Sequence, residues 1–395
     1  MTTHYSTPNT ESGSGSRTWT SVLRLLTSRS TVLLLAAALL VLYFEHASGG
    51  IFVTATNASL LLRQTAVVAV AAAGIAILII MGEIDLSIGS SAFLTGLVAA
   101  QCQVAGWGVA PSVMAAVGTG IALGFVQGLV ITRLALPAFV VTLAGLLLWR
   151  GIGLMWTDAA AIGPVSPEFA DLTEGRMSSL STTALAALVV AYGLWSAYRR
   201  YTSVKQEQGN VAITPILAAV AASTVLAGAL LWIGAGRTGL PNAILWIAVI
   251  VIVLGFALSR AKFGRRVYLV GSNREAAMYA GISVNRIVLL GFIIMGAIYG
   301  IAGTMLIARV GTSTADSGIN LELTAIAAAV IGGVSLRGGI GSIVGALLGA
   351  FLLSTIDNGM SLLGVSSYAE NVVKALILVF AVGLDGYFTR RQQIR

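Results

Sequence analysis

Residues 64–82 read QTAVVAVAAAGIAILIIMG, an uninterrupted stretch of 19 residues without a charged side chain. At about 1.5 Å per residue, a helix of this length spans most of the roughly 30 Å apolar core of a bilayer. Similar runs recur along the chain, which predicts about twelve spans, at residues 31–44 (starting as early as Val22), 62–82, 86–105, 109–131, 136–157, 180–198, 211–235, 242–259, 287–309, 322–336, 340–358 and 369–388. The expected fold class is an all-α, polytopic membrane bundle of about 10–12 helices, some of them broken or half-length.

The overall composition excludes most other classes of protein. Hydrophobic residues make up 57% of the chain and charged residues 10%, with a mean hydropathy of +0.92. Soluble domains carry about 25% charged residues, so a soluble, disordered or fibrous protein is excluded. We expect one transmembrane domain at 21–389, between a disordered cytoplasmic tail at 1–20 and a short cytoplasmic tail at 390–395. Because Glu45-His46-Ala47 lacks a small-x-small cleavage pattern, the first span is expected to stay uncleaved.

Residues for metal, nucleotide or covalent chemistry are scarce. Cys102 is the one cysteine, which excludes an intramolecular disulfide and a thiolate zinc site. The two histidines, His4 and His46, lie in a polar tail and a loop. No lysine follows a glycine, so the GxxxxGK[ST] phosphate loop is absent. We therefore expect no catalytic residues, no metal site and no cofactor bound by this chain.

The distribution of basic residues predicts the orientation. The chain has 23 Lys and Arg against 15 Asp and Glu, a net charge of +8. A cytoplasmic N-terminus places 17 of the 23 basic residues inside: Arg17, Arg24, Arg29, Arg133, Arg199, Arg200, Lys205, Arg260, Lys262, Arg265, Arg266, Arg274, Arg286, Arg337, Arg390, Arg391 and Arg395. The acidic loop 158–176 then lies outside. Since basic residues concentrate in cytoplasmic loops, we expect both termini in the cytoplasm, a plasma or inner membrane location and no nucleic-acid partner.

Two glycine-rich segments suggest broken helices. Residues 82–90 read GEIDLSIGS and residues 333–342 read GVSLRGGIGS. Each follows an Ala-rich apolar segment and precedes another small-residue helix. The segment 321–333 is short for a span and predicts a half-helix. Glycine-interrupted segments in corresponding halves are typical of transport paths, although 46 glycines also make chance similarity a real alternative.

The loop 260–286 has the features of a docking element. Asn273 or Ser272 can cap a short helix whose first turn contains Glu275, and Gly281 is a natural terminator. The arginines alone would fit an ordinary basic loop, but the cap, the small Ala276-Ala277 pair and the terminator would not. A short helix of this kind could fit into a groove of a soluble partner.

The same loop resembles a known family. Glu275-Ala276-Ala277, followed after three residues by Gly281, is similar to the EAA-xxx-G loop of ABC importer permeases, although the Leu-Pro of its widest form is missing at Leu289-Leu290. The wider pattern FGRRxYxVGxNxEAAxxAGI, together with EIDLSIG at 83–89, PAFVVTLAG at 137–145 and IDNGM at 356–360, resembles sugar-importing permeases of the ribose and xylose type. The resemblance covers about residues 57–383, and the additional apolar pair near 180–235 favours the xylose type.

The resemblance implies a set of partners and a coupling surface. It implies a separate ATPase subunit that holds ATP and Mg, an extracytoplasmic sugar-binding protein, a homodimer and surrounding membrane lipid. The residues of this chain that match the ATPase-coupling loop are Gly264, Arg265, Arg266, Gly271, Asn273, Glu275, Ala276, Ala277 and Gly281. The chain itself is then a transport subunit and not an enzyme.

Polar side chains within apolar spans are candidates for the substrate path. Neutral sugars are bound by amide and carboxylate hydrogen bonds and by ring stacking. The candidates are Glu83, Asp85, Ser87, Gln127, Thr142, Trp149, Asp357 and Asn358, with Arg150 as a further intramembrane polar group. A purely interhelical hydrogen bond is an equally good interpretation for Gln127, Thr142, Trp149, Arg150, Asp357 and Asn358, and Lys374 could pair with Asp357. For Glu83 and Asp85 the alternative is an inner loop at the membrane interface, where a carboxylate costs little. Glu83 and Asp85 could act as a structural latch or line the path.

Two other classes of protein remain alternatives. A secondary, ion-coupled transporter of sugars or small solutes is also commonly built from about twelve helices, and Phe263-Gly264-Arg265-Arg266 resembles a loop of the major facilitator group. That group usually has an acidic residue just upstream, whereas residues 259–262 read SRAK. A membrane-embedded enzyme would need clustered ligands or a nucleophile with a base, which the sequence does not suggest.

Overall fold

The apolar runs of the sequence form helices. The computed structural model describes residues 29–208, 214–377, 379 and 383, so both predicted tails and part of the last predicted span lie outside the described residues. The helices are α1 (Arg29–Ala47), α2 (Ala55–Ile80), α3 (Ile88–Val104), α4 (Val109–Leu134), α5 (Ala138–Thr157), α6 (Pro167–Ala170), α7 (Ser179–Gln208), α8 (Thr214–Ala235), α9 (Ala243–Ser259), α10 (Lys262–Ser272), α11 (Arg274–Tyr279), α12 (Val284–Val310), α13 (Leu321–Ile331) and α14 (Ile343–Leu362). Residues 367–377 are helical again. Within these ranges there is no strand, only two isolated bridges, which confirms the all-α fold class.

The helices differ in whether they are long and apolar enough to cross a bilayer. Seven of the described helices are long and apolar enough to do so, namely α2, α4, α5, α7, α8, α12 and α14. Helix α9 turns by 69° into α10 and would make an eighth span as a bent pair. The remaining apolar segments are shorter helices within α1, α3 and α13. The expectation of a polytopic bundle that includes broken and half-length helices is therefore confirmed.

The predicted half-helix is α13, which has 11 residues and spans about 16 Å at the helical rise. It is followed by a non-helical segment at 332–342, just as α2 is followed by one at 81–87. Both helices end in the same way, at a glycine with positive φ: +83° at Gly82 and +90° at Gly333. Glycine adopts this conformation without steric cost.

Hydrogen bonds at these two helix ends also correspond. The Glu83 amide donates to the Leu78 carbonyl at 2.9 Å, and the Val334 amide donates to the Ala329 carbonyl at 3.0 Å. Both bonds close the same six-residue turn of a glycine-terminated helix. The similarity between the two sequence segments therefore extends to their local structure.

Small residues allow a close helix pair. Gly120 and Gly124 of α4 face Gly296 of α12, and a Cβ atom at Gly120 would lie only 2.2 Å from the Gly296 carbonyl oxygen. Glycines spaced by four residues let two membrane helices approach until their backbones touch. Helices α4 and α12 thus form a tight pair, and α2, which is largely buried, packs against α12.

The connecting segments gather at two ends of the bundle. One end holds 158–178, 236–242 and 311–320, tied together by bonds such as Ser313 N to Ile162 O at 2.8 Å. The opposite end holds the non-helical segments 81–87 and 332–342 together with the loop 260–283, since the Gly339 amide donates to the Ile80 carbonyl at 2.8 Å. We call these the acidic end and the basic end, after the side chains that their loops carry.

Candidate functional site

A buried polar cluster lies where α2 stops and α3 begins. Asp85 is fully buried, and its carboxylate accepts hydrogen bonds from the Ser87 amide and hydroxyl, both at 2.7 Å, and from the Tyr299 hydroxyl at 2.5 Å. Gln127 completes the ring: its Nε2 donates to Ser87 Oγ at 2.8 Å, and its Oε1 lies 3.0 Å from the Tyr299 hydroxyl. We call these four residues the Asp85 cluster. It joins the non-helical segment 81–87 to α4 and α12.

Helix α5 covers this cluster with three small or polar positions. Thr142 donates to the Ile84 carbonyl at 3.2 Å, and a Cβ atom at Gly145 would lie 2.4 Å from Gln127 Nε2. Trp149 is buried, and its Nε1 has no hydrogen-bond partner. A buried indole donor is usually satisfied, so this N–H is an unused binding group beside the cluster.

Arg150 extends the polar region toward the acidic end. Its guanidinium donates to the carbonyl oxygens of Ala315 at 2.7 Å and Ser317 at 3.1 Å, and it lies 4.9 Å from the centre of the Phe93 ring. The segment 311–320 therefore folds into the bundle and is held there by a charged side chain of α5. Carbonyl groups of buried non-helical backbone need hydrogen-bond donors, and the Arg150 guanidinium supplies them here.

Glu83 connects the same region to the basic end. Its carboxylate forms an ion pair with Arg274 at 2.8 Å, and its side chain is 6% exposed against 49% for Arg274. Burial raises the pKa of the Glu83 carboxyl, and the neighbouring Arg274 guanidinium opposes that rise. A buried carboxylate without a cationic partner would be costly, so Arg274 stabilises the charged form.

Two of the eight path candidates belong to another part of the bundle. Asn358 exchanges amide hydrogen bonds with Asn57 at 2.8 and 3.1 Å, and Asp357 forms an ion pair with Lys374 at 3.0 Å. These contacts join α14 to α2 and to the helical residues 367–377. Their geometry matches the interhelical interpretation, and the suspected Asp357–Lys374 pair is present.

Six candidates do lie together: Glu83, Asp85, Ser87, Gln127, Thr142 and Trp149. Tyr299 was absent from the sequence-based set although it is the largest fully buried side chain of the cluster. A tyrosine in the middle of the long apolar span 284–310 was the available signal, because a membrane-buried hydroxyl needs a partner.

The loop 260–283 folds as two helices, where the sequence predicted one short helix. In α10, Gly264 packs against the Leu258 backbone and Gly271 against the Ile80 carbonyl, so neither position has room for a side chain. Arg265 and Arg266 are exposed on the opposite face. Helix α10 is therefore an amphipathic helix whose glycines hold it closely against the ends of α9 and α2.

Helix α11 has the predicted cap and terminator. Asn273 Oδ1 accepts a hydrogen bond from the Ala276 amide at 2.9 Å, and Glu275 is exposed in the first turn. Gly281 has φ +76° with open space around it, and the Ile282 amide closes the helix on the Ala277 carbonyl at 3.0 Å. Asn273, and not Ser272, is thus the capping residue.

Within α11, one residue of the predicted coupling set faces the bundle. Ala277 is 4% exposed and packs against the bundle, because it lies on the inner face of the short helix. The outward face presents Met278 and Tyr279, which are 54% and 91% exposed, next to Glu275 and Ala276. A partner that contacts α11 would meet these four side chains, while Ala277 seats the helix.

The ends of α4 and α5 and the segment 82–84 enclose a cleft at the basic end. Its volume is about 530 Å³, and Glu83, Arg274, Asn285 and Phe139 lie on its wall. Within 29–208 and 214–377, no group of three or more His, Cys, Asp or Glu side chains is arranged to hold a metal ion. The polar side chains of the site can therefore form hydrogen bonds and ion pairs.

Comparison with known proteins defines the class. Residues 57–382 match the family described as "Branched-chain amino acid transport system / permease component", and the chain belongs to this family of permeases. It is a multi-pass membrane protein with the fold of a transport component.

Individual relatives of the chain are permease proteins named for xylose and ribose. The chain is 36% identical to the xylose transport system permease protein XylH of Escherichia coli K12 over 344 residues, 87% of this chain and 88% of the relative. The XylH protein of Haemophilus influenzae is 36% identical over 86% of this chain and 91% of its own length. The ribose import permease protein RbsC of Escherichia coli K12 is 31% identical over 85% of this chain and 87% of its own length. No solved structure matches the chain.

Proposed function

We propose that this chain is the membrane-spanning subunit of an ATP-driven importer that carries a monosaccharide, with D-xylose or a similar pentose as the substrate. Membership of the permease family and similarity to xylose and ribose permeases along most of the chain support this proposal. The chain then supplies the path, while ATP and Mg bind to a separate ATPase subunit and hydrolysis takes place there.

The observation that carries the proposal is the exposed helix α11 at the basic end. It is capped by Asn273, ended by Gly281 and presents Met278 and Tyr279 to the outside. A short helix with exposed apolar side chains suits a groove on a soluble partner. Basic loops favour the cytoplasm. We therefore place this end, and both termini, in the cytoplasm beside the ATPase.

The Asp85 cluster is the proposed centre of the sugar path. Carboxylate, amide and hydroxyl groups that converge beside an aromatic ring are the groups that bind neutral sugars. The unpartnered Trp149 Nε1 offers an additional donor beside Gln127. Arg150 and the segment 311–320 would then lie on the extracytoplasmic side, facing a sugar-binding protein docked at the acidic end.

A second copy of the chain and membrane lipid are the proposed lateral partners. Helix α5 exposes Leu147 and Met155, at 69% and 84%, on the face turned away from the Asp85 cluster. Exposed apolar side chains of this size are covered by lipid or by protein in a membrane. We place the homodimer contact and the lipid contact on such faces.

Reconstituted vesicles test the proposal directly. The chain would be combined with its ATPase and sugar-binding protein, and uptake of pentoses and hexoses would be followed with ATP inside or outside the vesicles. We expect uptake that requires ATP on the α11 side and is largest for xylose or a similar pentose. Uptake by the chain alone, driven by an ion gradient and abolished by a protonophore, would instead establish a secondary transporter.

A further inference from the structure

The ion pair between Glu83 and Arg274 joins two parts of the molecule that have separate proposed tasks. Arg274 is the first residue of α11, the proposed ATPase-docking helix. Glu83 lies in the non-helical segment 81–87, two residues before Asp85. The ion pair therefore connects the proposed docking helix to the segment that contains Asp85.

The contacts around this pair are consistent with a mechanical link. The Glu83 side chain is 6% exposed, so its bond to Arg274 at 2.8 Å is shielded from water on one side. An ion pair of this kind is expensive to break from one side, because the remaining buried charge has no compensation. Helix α11 and the segment 81–87 consequently resist separation at this point.

The segment that contains Glu83 lies outside the helices. Residues 81–87 are not helical, so a shift of this segment would not disrupt an internal helical hydrogen-bond ladder. Asp85 within it holds Ser87 and Tyr299, and Thr142 is bonded to the intervening Ile84 carbonyl. A displacement at Glu83 would thus reach side chains of α5 and α12.

The second non-helical segment contacts the same loop. Tyr268 of α10 donates to the Gly341 carbonyl at 2.8 Å, and Gly271 lies against the Ile80 carbonyl and the Gly339 amide. The loop 260–283 therefore touches both breaks in the helical bundle, and the ion pair between Glu83 and Arg274 attaches it to the first break.

From these contacts we infer that Glu83 and Arg274 are positioning residues that transmit movement of α11 to the segment 81–87 and so to the Asp85 cluster. The inference rests on the proposed function, since it assigns a transmission step to that importer. Neither residue needs to touch the sugar or the nucleotide. Their role is to displace the Asp85 cluster when α11 moves.

The decisive experiment measures coupling rather than activity alone. Glu83→Gln and Arg274→Gln would be compared with wild type in the full complex, by co-purification of the ATPase, ATP hydrolysis and sugar uptake per ATP consumed. Arg286→Gln is the matched control, because Arg286 is an exposed basic residue at the start of the neighbouring helix. We expect both pair variants to keep the ATPase and hydrolyse ATP, with uptake per ATP reduced at least about fivefold, the lower range of energetic coupling between sites. The control should retain the wild-type ratio.

A covalent replacement of the ion pair provides the second measurement. Glu83→Cys and Arg274→Cys would be combined in a Cys102→Ser background and joined by a short, reducible bismethanethiosulfonate linker. We expect low uptake per ATP without the linker, recovery when it is attached and loss again after reduction. Wild-type uptake per ATP in the unlinked pair, or in both single variants, would overturn the inference. Absence of ATP-driven uptake by the wild-type complex would instead count against the proposed function itself.

Discussion

Asp85 is the residue on which most of the site geometry depends. It is fully buried, and three donors from Ser87 and Tyr299 converge on its two oxygens. A buried carboxylate is expensive unless such donors surround it. Its removal would take the acceptor from the Ser87 amide and hydroxyl, whereas the Tyr299 hydroxyl keeps Gln127 Oε1 at 3.0 Å. The nearby Ser91 makes a single longer bond, to Ser87 Oγ at 3.3 Å.

Replacing Asp85 should therefore impair transport strongly. We expect Asp85→Ala to lower uptake far more than Ser91→Ala, and to destabilise the fold by about 1–3 kcal/mol for each buried donor left unpaired. The measurement is uptake in vesicles, normalised to the amount of protein in the membrane. Equal uptake by the two variants would return Asp85 to an ordinary position in a loop between helices.

Two glycines of α4 provide a matched pair for testing the central packing. A Cβ atom at Gly124 would lie 2.1 Å from the Phe292 carbonyl oxygen, whereas one at Gly118 would meet nothing within 4 Å. We expect Gly124→Ala to destabilise the protein by about 1–3 kcal/mol through overpacking. Gly118→Ala should leave the midpoint temperature of unfolding unchanged or raise it slightly. Thermal unfolding in detergent would measure both variants. Similar midpoints for both variants would contradict the close α4–α12 contact.

At the scale of elements, α11 is distinguished by its exposed tyrosine side chain. Tyr279 is 91% exposed at the end of this helix, and Tyr368 is 83% exposed beyond α14, at the other end of the bundle. If α11 enters a groove of the ATPase, only the first of these tyrosines contacts a soluble partner there. The two residues are otherwise similar in type and exposure.

The expected outcome is a selective loss of partner binding. Tyr279→Ser should reduce co-purification of the ATPase with the chain, because a large apolar contact is removed from the helix surface. Tyr368→Ser should retain it. Expression and thermal stability are expected to stay near wild type in both, since neither side chain is buried. Undiminished ATPase association of Tyr279→Ser would shift the docking surface away from α11.

The sequence could predict the local features of these elements but not the contacts between them. The cap at Asn273, the terminator at Gly281 and the breaks after α2 and α13 follow from residue type and position, because a cap or a positive φ is decided within a few residues. The inward turn of Ala277 depends on how α11 lies on the bundle. The bond between Asp85 and Tyr299 joins residues 214 positions apart, so only helix packing decides it.

At the scale of the whole molecule, the two ends differ in charge and in the elements they carry. The loop 260–283 lies at the basic end, and the segments 158–178 and 311–320 lie at the acidic end, bridged by Ile162 and Ser313. The two sets of loops alternate along the chain, as the spans predicted from hydropathy require. The sequence could therefore predict which loops share an end of the bundle, although not the inward fold of 311–320.

Orientation in the membrane is open to direct measurement. Reporter fusions at Gly271 and at the C-terminus should indicate the cytoplasm, and a fusion within 160–175 should indicate the opposite side. The physical reason is the concentration of arginines in one set of loops. An external reporter signal at Gly271 would contradict both the proposed topology and the proposed ATPase contact.

The glycine contact between α4 and α12 has a consequence for how such a bundle can deform. Where two backbones touch directly, as at Gly120 and Gly296, no layer of side chains remains that could change rotamer and let the helices slide. Packed interfaces of this kind behave as one rigid body. A change between two shapes would then leave this pair fixed, and the hinges would lie in the non-helical residues 81–87 and 332–342, which meet at the basic end.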